Sequence, residues 1–159
     1  MYVKSGGAVQ LTRNPDIPKV YKASSNASAL LVVPCRVWTV VSVEQRPYCF
    51  SFVDPDRPHW FMRHHYLLLQ MDSEFAHAYP HVFDVDASFL LLRDAFYLGH
   101  YALKSVNLPQ YYINARDNGR LAIDRYEDTT EFRDKASFAL RFRSKRVRSM
   151  ACLTYCNTM

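Results

Sequence analysis

His64 and His65 stand side by side, and four carboxylates, Asp54, Asp56, Asp84 and Asp86, surround them in the chain. Adjacent residues of a strand point to opposite faces, so the two histidines do not converge on one ion. No third ligand accompanies them, and no metal or other cofactor is implied. Paired carboxylates can hydrolyse glycosidic bonds. Asp54 and Asp56, however, recur as Ser105 and Asn107 in a related stretch, which marks them as turn residues whose side chains bond their own backbone. Neither a Gly-rich phosphate loop nor a nucleophile elbow is present, so an enzyme is not the expectation. Cys152 and Cys156 form a C-x-x-x-C without a second pair at zinc-like spacing. Together with Cys35 and Cys49 they allow three disulfide connectivities, or free buried thiols. Asn26-Ala27-Ser28 is a glycosylation sequon that counts only in a secreted chain.

The elements that must hold such residues follow from an internal period. Residues 51–62 match residues 102–113 at an offset of 51, with Pro58 on Pro109, Asp56 on Asn107 and Trp60-Phe61 on Tyr111-Tyr112. Each stretch reads as strand, turn, strand, the turn marked by Asp or Asn and then Pro. A strand follows in each, Tyr66 to Met71 against Arg120 to Asp124. Then Phe83, Ala87, Ser88 and Phe89 match Phe132, Ala136, Ser137 and Phe138. A weaker copy lies at the N-terminus, where Asn26-Ala27-Ser28 falls on Asp86-Ala87-Ser88 and the opening strand and turn are missing. Repeats at about 1–35, 49–95 and 100–140, each of about four short strands, predict an all-β chain, a β-trefoil whose first repeat is N-terminally truncated. The Ala and the Phe of each Ala-Ser-Phe are expected on an inward strand near the barrel axis. Residues 141–159 form a basic C-terminal tail, expected either to fill part of the gap left by the missing strand or to leave the isolated chain only marginally stable.

Composition agrees with this class. The 159 residues suit one domain of about 140 residues plus a tail, and the 14% aromatic share favours strands. Only 4 Gly are present, so the turns rest on Pro, Asn and Asp. The net charge of +5 and the run Arg-Phe-Arg-Ser-Lys-Arg-Val-Arg at 141–148 read as a solvated basic face and an exposed tail. Nucleic acid is not the expected partner. No apolar run spans a bilayer, and residues 1–7 lack the pattern of a signal peptide.

The order Pro-x-Trp/Tyr-Phe/Tyr-Met/Ile-Arg-His, a Leu-rich strand, then Phe-x-x-Asp-Ala-Ser-Phe resembles the arabinose-binding domain of α-L-arabinofuranosidase B. The resemblance covers Cys49 to Leu140 in two copies and Met1 to Val33 in a poorer one. It implies a β-trefoil that binds arabinofuranose side chains and leaves catalysis to a separate domain. The implied pocket residues are the His of Arg-His and the Asp of Asp-Ala-Ser, here His64 and Asp86. A carboxylate can accept from neighbouring sugar hydroxyls, an imidazole can donate or accept, and Trp60 or Tyr66 could cover an apolar sugar face. In the third copy Asn114-Ala115 replaces Arg-His and Lys135 replaces the Asp. The first has Lys4-Ser5 and Asn26. One pocket is therefore expected, in a non-catalytic module for arabinose-containing or other glycans.

Degenerate copies of this kind resemble the domain as found in otogelin-like extracellular glycoproteins of animals. That resemblance implies a structural or protein-interaction module of a larger secreted protein, with extracellular matrix proteins as partners and sugar binding lost.

Overall fold

The computed structural model describes residues 8–13, 30–35, 37 and 41–143. The sequon at Asn26, the residues 1–4 matched to the first repeat, Cys152, Cys156 and the tail from 144 onward lie outside the described residues.

Ten strands carry the described chain: β1 (Ala8–Arg13), β2 (Leu30–Pro34), β3 (Cys49–Asp54), β4 (Arg57–His65), β5 (Leu68–Ser73), β6 (Phe89–Arg93), β7 (Tyr101–Ser105), β8 (Tyr111–Ala115), β9 (Leu121–Arg125) and β10 (Phe138–Arg143). Two short helices, α1 (Pro80–Asp86) and α2 (Thr130–Lys135), precede β6 and β10. The class is all-β, as the sequence predicts. The order strand, strand, strand, helix, strand runs from β3 to β6 and again from β7 to β10.

Pairing closes the sheet on itself. The order β3-β4-β5-β9-β8-β7-β6 returns to β3 through the pairs Cys49↔Leu90 and Phe50↔Phe89, giving a closed barrel of seven strands. A second ring, β10-β1-β2-β3-β6-β7, closes through Phe138↔Tyr101. Closure of this kind removes exposed strand edges. Strand β1 lies between β10 and β2, and residues 141–143, expected in the tail, instead continue β10 and pair with Ala8–Gln10 of β1.

Alternation sends one face of nearly every strand into a common core: Val32, Phe52, Met62, Phe89, Leu91, Leu103, Ile113, Ile123 and Phe138. The rings of Phe52 and Phe89 meet 6.2 Å apart. Phe89 and Phe138 are inward, as predicted for the Ala-Ser-Phe copies. The alanines are not on the strands. Ala87 and Ala136 end α1 and α2, each returning its N–H to the carbonyl four residues back, Phe83 or Phe132. The serines complete the same stop, Ser88 Oγ donating to Asp84 O at 2.6 Å and Ser137 Oγ to Arg133 O at 2.7 Å. Pro80 opens α1 at a position where a missing N–H costs nothing. Thr129 caps α2 by accepting from Phe132 N. The motif is thus a helix exit followed by an inward strand.

Cys35 and Cys49 form a disulfide across β2 and β3, and Cys35 N donates to Cys49 O at 3.1 Å. The bridge closes a segment with a sequence separation of 14 residues. A loop of that size contributes about 3 kcal/mol by restricting the unfolded chain.

The hairpin joining β4 to β5 turns on Tyr66 and Leu67, at φ 48° and 65°. The sequence comparison placed these residues at the start of the following strand, which in fact begins at Leu68. Two successive left-handed residues suit Asn and Gly, and at the β8–β9 turn the left-handed position is taken by Gly119, at φ 78°. Tyr and Leu carry a steric cost there. The double variant Tyr66→Asn/Leu67→Gly is expected to gain about 2 kcal/mol, read as a higher midpoint in urea. A midpoint at or below that of the parent chain would show that the turn carries no such cost.

Candidate functional site

Near its end, β4 carries Arg63 and His64, and α1 ends on Asp86, so a hairpin and a helix exit bring these three side chains together. The third wall comes from the turn after β7. Ser105 ends β7, Asn107 lies in that turn, and Asn107 Nδ2 donates to Asp86 Oδ1 at 2.6 Å. Ser105 Oγ donates to Asn107 Oδ1 at 2.8 Å, and His64 Nε2 lies 2.9 Å from that same oxygen. His64 Nε2 is also 3.4 Å from Asp86 Oδ1.

This network sets proton positions. A carboxylate only accepts, so the Asn107 amide turns its nitrogen to Asp86 and its oxygen to His64. His64 Nε2 therefore carries the hydrogen. In the neutral ring, Nδ1 is then an acceptor.

Arg63 fixes the other side of Asp86. Its Nη1 donates to Asp86 Oδ2 at 3.2 Å and its Nε to Asp72 Oδ2 at 3.0 Å. The guanidinium lies 5.4 Å from the centre of the Phe83 ring, and its side chain is only 5% exposed. Asp72 Oδ2 also meets His77 Nε2 at 3.0 Å and accepts from Gln70 Nε2 at 3.2 Å. Burial pushes the Asp72 carboxyl up, but the hydrogen bonds from Arg63, His77 and Gln70 and the Arg63 charge together hold it below the usual carboxylate value. A lowered folded-state value means this carboxylate adds stability at neutral pH, lost as acid protonates it.

The four sequence-predicted site residues do not form one cluster. His64 and Asp86 meet. Trp60 lies four residues earlier on β4, about 13 Å away by strand rise, with the Arg57 guanidinium 4.1 Å over its ring. Tyr66 sits at the hairpin tip, 88% exposed, its ring stacked on His65. Asn107, Ser105, Arg63 and Asp72 were not singled out as site residues. Their signal was the alignment of Asn107 with Asp56, read only as a turn. The turn reading holds for Asp54, which accepts from Asp56 N at 2.9 Å and from Arg57 Nε at 2.7 Å.

In the β7–β10 unit the matching positions carry a different set. Asn114 is buried where Arg63 would be, and Lys135 Nζ donates to Glu131 Oε1 at 2.6 Å and Asp117 Oδ2 at 3.1 Å. Arg116 takes up Asp124 at 2.6 Å. Among the described residues no group of three or more His, Cys, Asp or Glu is placed to hold a metal ion, and no helix is long and apolar enough to cross a membrane.

A closed all-β barrel carrying a carboxylate–imidazole–amide cluster at a helix exit defines the class, and comparison with known proteins places it further. The model of the α-L-arabinofuranosidase B (ABFB) domain matches residues 13–140, and the chain belongs to that family. A GH54 α-L-arabinofuranosidase soaked with 4-nitrophenyl α-L-arabinofuranoside superposes with TM-score 0.62 at 20% identity, over 87% of this chain and 31% of that one. An arabinofuranosidase complexed with arabinofuranosyl-α-1,2-xylobiose gives 0.61 at 20%, with the same coverage. A β-trefoil described as BEL gives 0.55 at 8% identity over 87% of this chain and 94% of its own. This chain thus spans about a third of the length of the arabinofuranosidases it resembles. No curated protein matches it significantly by sequence.

Proposed function

We propose that the chain is a non-catalytic carbohydrate-binding module for arabinose-containing glycans, with His64 and Asp86 as its polar pocket and the Asn107 amide holding both. The observation that carries this reading is the meeting of those two side chains in a chain of the ABFB family. A carboxylate whose side chain keeps 13% of its surface and an imidazole with an acceptor nitrogen suit adjacent sugar hydroxyls. On this reading the architecture is three repeats with a basic tail after them, the last strand β10 running on to Arg143. Tyr66, exposed beyond His65, remains available to a ligand, whereas Trp60 is engaged by Arg57.

Titration calorimetry with arabinofuranosyl-α-1,2-xylobiose tests the reading. Heat is expected with the parent chain, and a loss of about tenfold or more in affinity with His64→Gln, since each lost hydrogen bond in a dry site removes about that much. No heat with the parent chain, or equal affinity in the variant, would sink it.

The second reading is a structural module of a larger otogelin-like extracellular glycoprotein, meeting extracellular matrix proteins. It is favoured by the internal bonding of Asp86, whose two oxygens already serve Arg63 and Asn107, and by the Cys35–Cys49 disulfide, a bond typical of oxidising compartments.

A further inference from the structure

A narrow apolar stripe runs along α1 toward Asp86. Val82 and Asp86 are four residues apart on α1, and Tyr79 precedes Val82 by three at the helix's N-cap, so all three fall along one side of the helix. Tyr79 is 68% exposed and Val82 44%, whereas Phe83, on the next position round, is buried. The 3-10 turn Glu74–Ala76 packs against α1 and presents Phe75 outward, its ring tilted against His59 with centroids 4.6 Å apart. At the far end of the stripe the Asp86 side chain keeps 13% of its surface. Seven residues of helix rise separate Tyr79 from Asp86 by about 10 Å.

We infer that this stripe is a second subsite for the same ligand, taking the sugar unit next to the arabinose, so that the module selects oligosaccharides over a single sugar. The inference rests on the glycan reading of the His64–Asp86 pocket. An aromatic ring and a branched aliphatic side chain offer an apolar face to the C–H side of a sugar ring, while the carboxylate at the end of the stripe takes hydroxyls. Two such side chains offer on the order of 200 Å². A stable protein partner needs about 800 Å² on each side, so the stripe fits a chain of small rings and not a protein surface.

The test compares methyl α-L-arabinofuranoside with arabinofuranosyl-α-1,2-xylobiose by calorimetry, on the parent chain and on Tyr79→Ala, Val82→Ser and the control Leu98→Ala. Leu98 is fully exposed between β6 and β7. The expected result is tighter binding of the trisaccharide by the parent chain. Tyr79→Ala and Val82→Ser should lower that affinity about tenfold while leaving the methyl glycoside and the circular dichroism spectrum unchanged. Leu98→Ala should change neither ligand's affinity. Equal affinity for both ligands in the parent chain, or stripe variants that bind the trisaccharide normally, would overturn the inference and leave the pocket reading standing. Stripe variants that lose both ligands alike would overturn it too, as would a parent chain that binds neither, which would remove the pocket reading as well.

Discussion

Asp86→Ala is expected to lower folding stability by about 3 kcal/mol, near the bottom of the range for breaking a buried ion pair. The Arg63 guanidinium is almost wholly enclosed, and Asp86 Oδ2 is one of its two carboxylate partners. Removing it leaves Nη1 without its acceptor in a place water barely reaches, and the Asn107 Nδ2 donor likewise loses Asp86 Oδ1. Asp72 still holds Arg63 Nε, which is why the loss should not reach the top of the range. Urea unfolding reads the difference directly. A loss below about 1 kcal/mol would mean the network behaves like a solvated surface pair. The double variant Arg63→Met/Asp86→Leu is the companion measurement. Removing both charges together should cost less than Asp86→Ala alone, since no unpaired group is left behind.

Phe89→Ala and Phe138→Ala should each cost about 3–5 kcal/mol. Both side chains point into the closed barrel with essentially no exposure, and Phe89 belongs to a strand paired on both sides, with β3 and β7. A ring of hydrogen-bonded strands cannot contract around a missing benzyl group, so the cavity persists. Thermal unfolding of the two variants beside Leu98→Ala, expected within about 0.5 kcal/mol of the parent, measures this. Similar midpoints for all three would show that these rings do not anchor the core.

Several parts of this architecture were open to reading in the sequence. Asp56, and Asn107 with Pro109, mark the turns after β3 and β7, because Asp, Asn and Pro have few other ways to sit between alternating strands, while Pro58 falls just inside β4. The inward Phe89 and Phe138 followed from matched spacing. The helices did not: with six or seven residues each they are too short to show a period, and Phe-x-x-Asp-Ala looks the same whether it bends into a helix or runs straight. What distinguishes them is capping chemistry, Pro80 and Thr129 at the entry and Ser88 and Ser137 at the exit. His64 and Asp86 came from a motif match, but Asn107 did not, though it touches both. Its sequence neighbours explain it fully as a turn residue, and its partners lie 43 and 21 positions away, beyond any local pattern. Arg63 was visible as half of the Arg-His pair, yet only tertiary structure shows it held between two carboxylates.

The amide that orients His64 and Asp86 belongs to the strand unit that follows them. A fragment ending before β7 would keep the imidazole and the carboxylate in its sequence but not their alignment. The His64–Asp86–Asn107 cluster therefore forms only once the two units have docked, and it works as a seam. On the glycan reading, a ligand seated there would be bound by the assembled pair alone, and its binding energy would add to the cohesion between neighbouring units. On that reading, a site placed on the join would tie recognition to the integrity of the closed sheet.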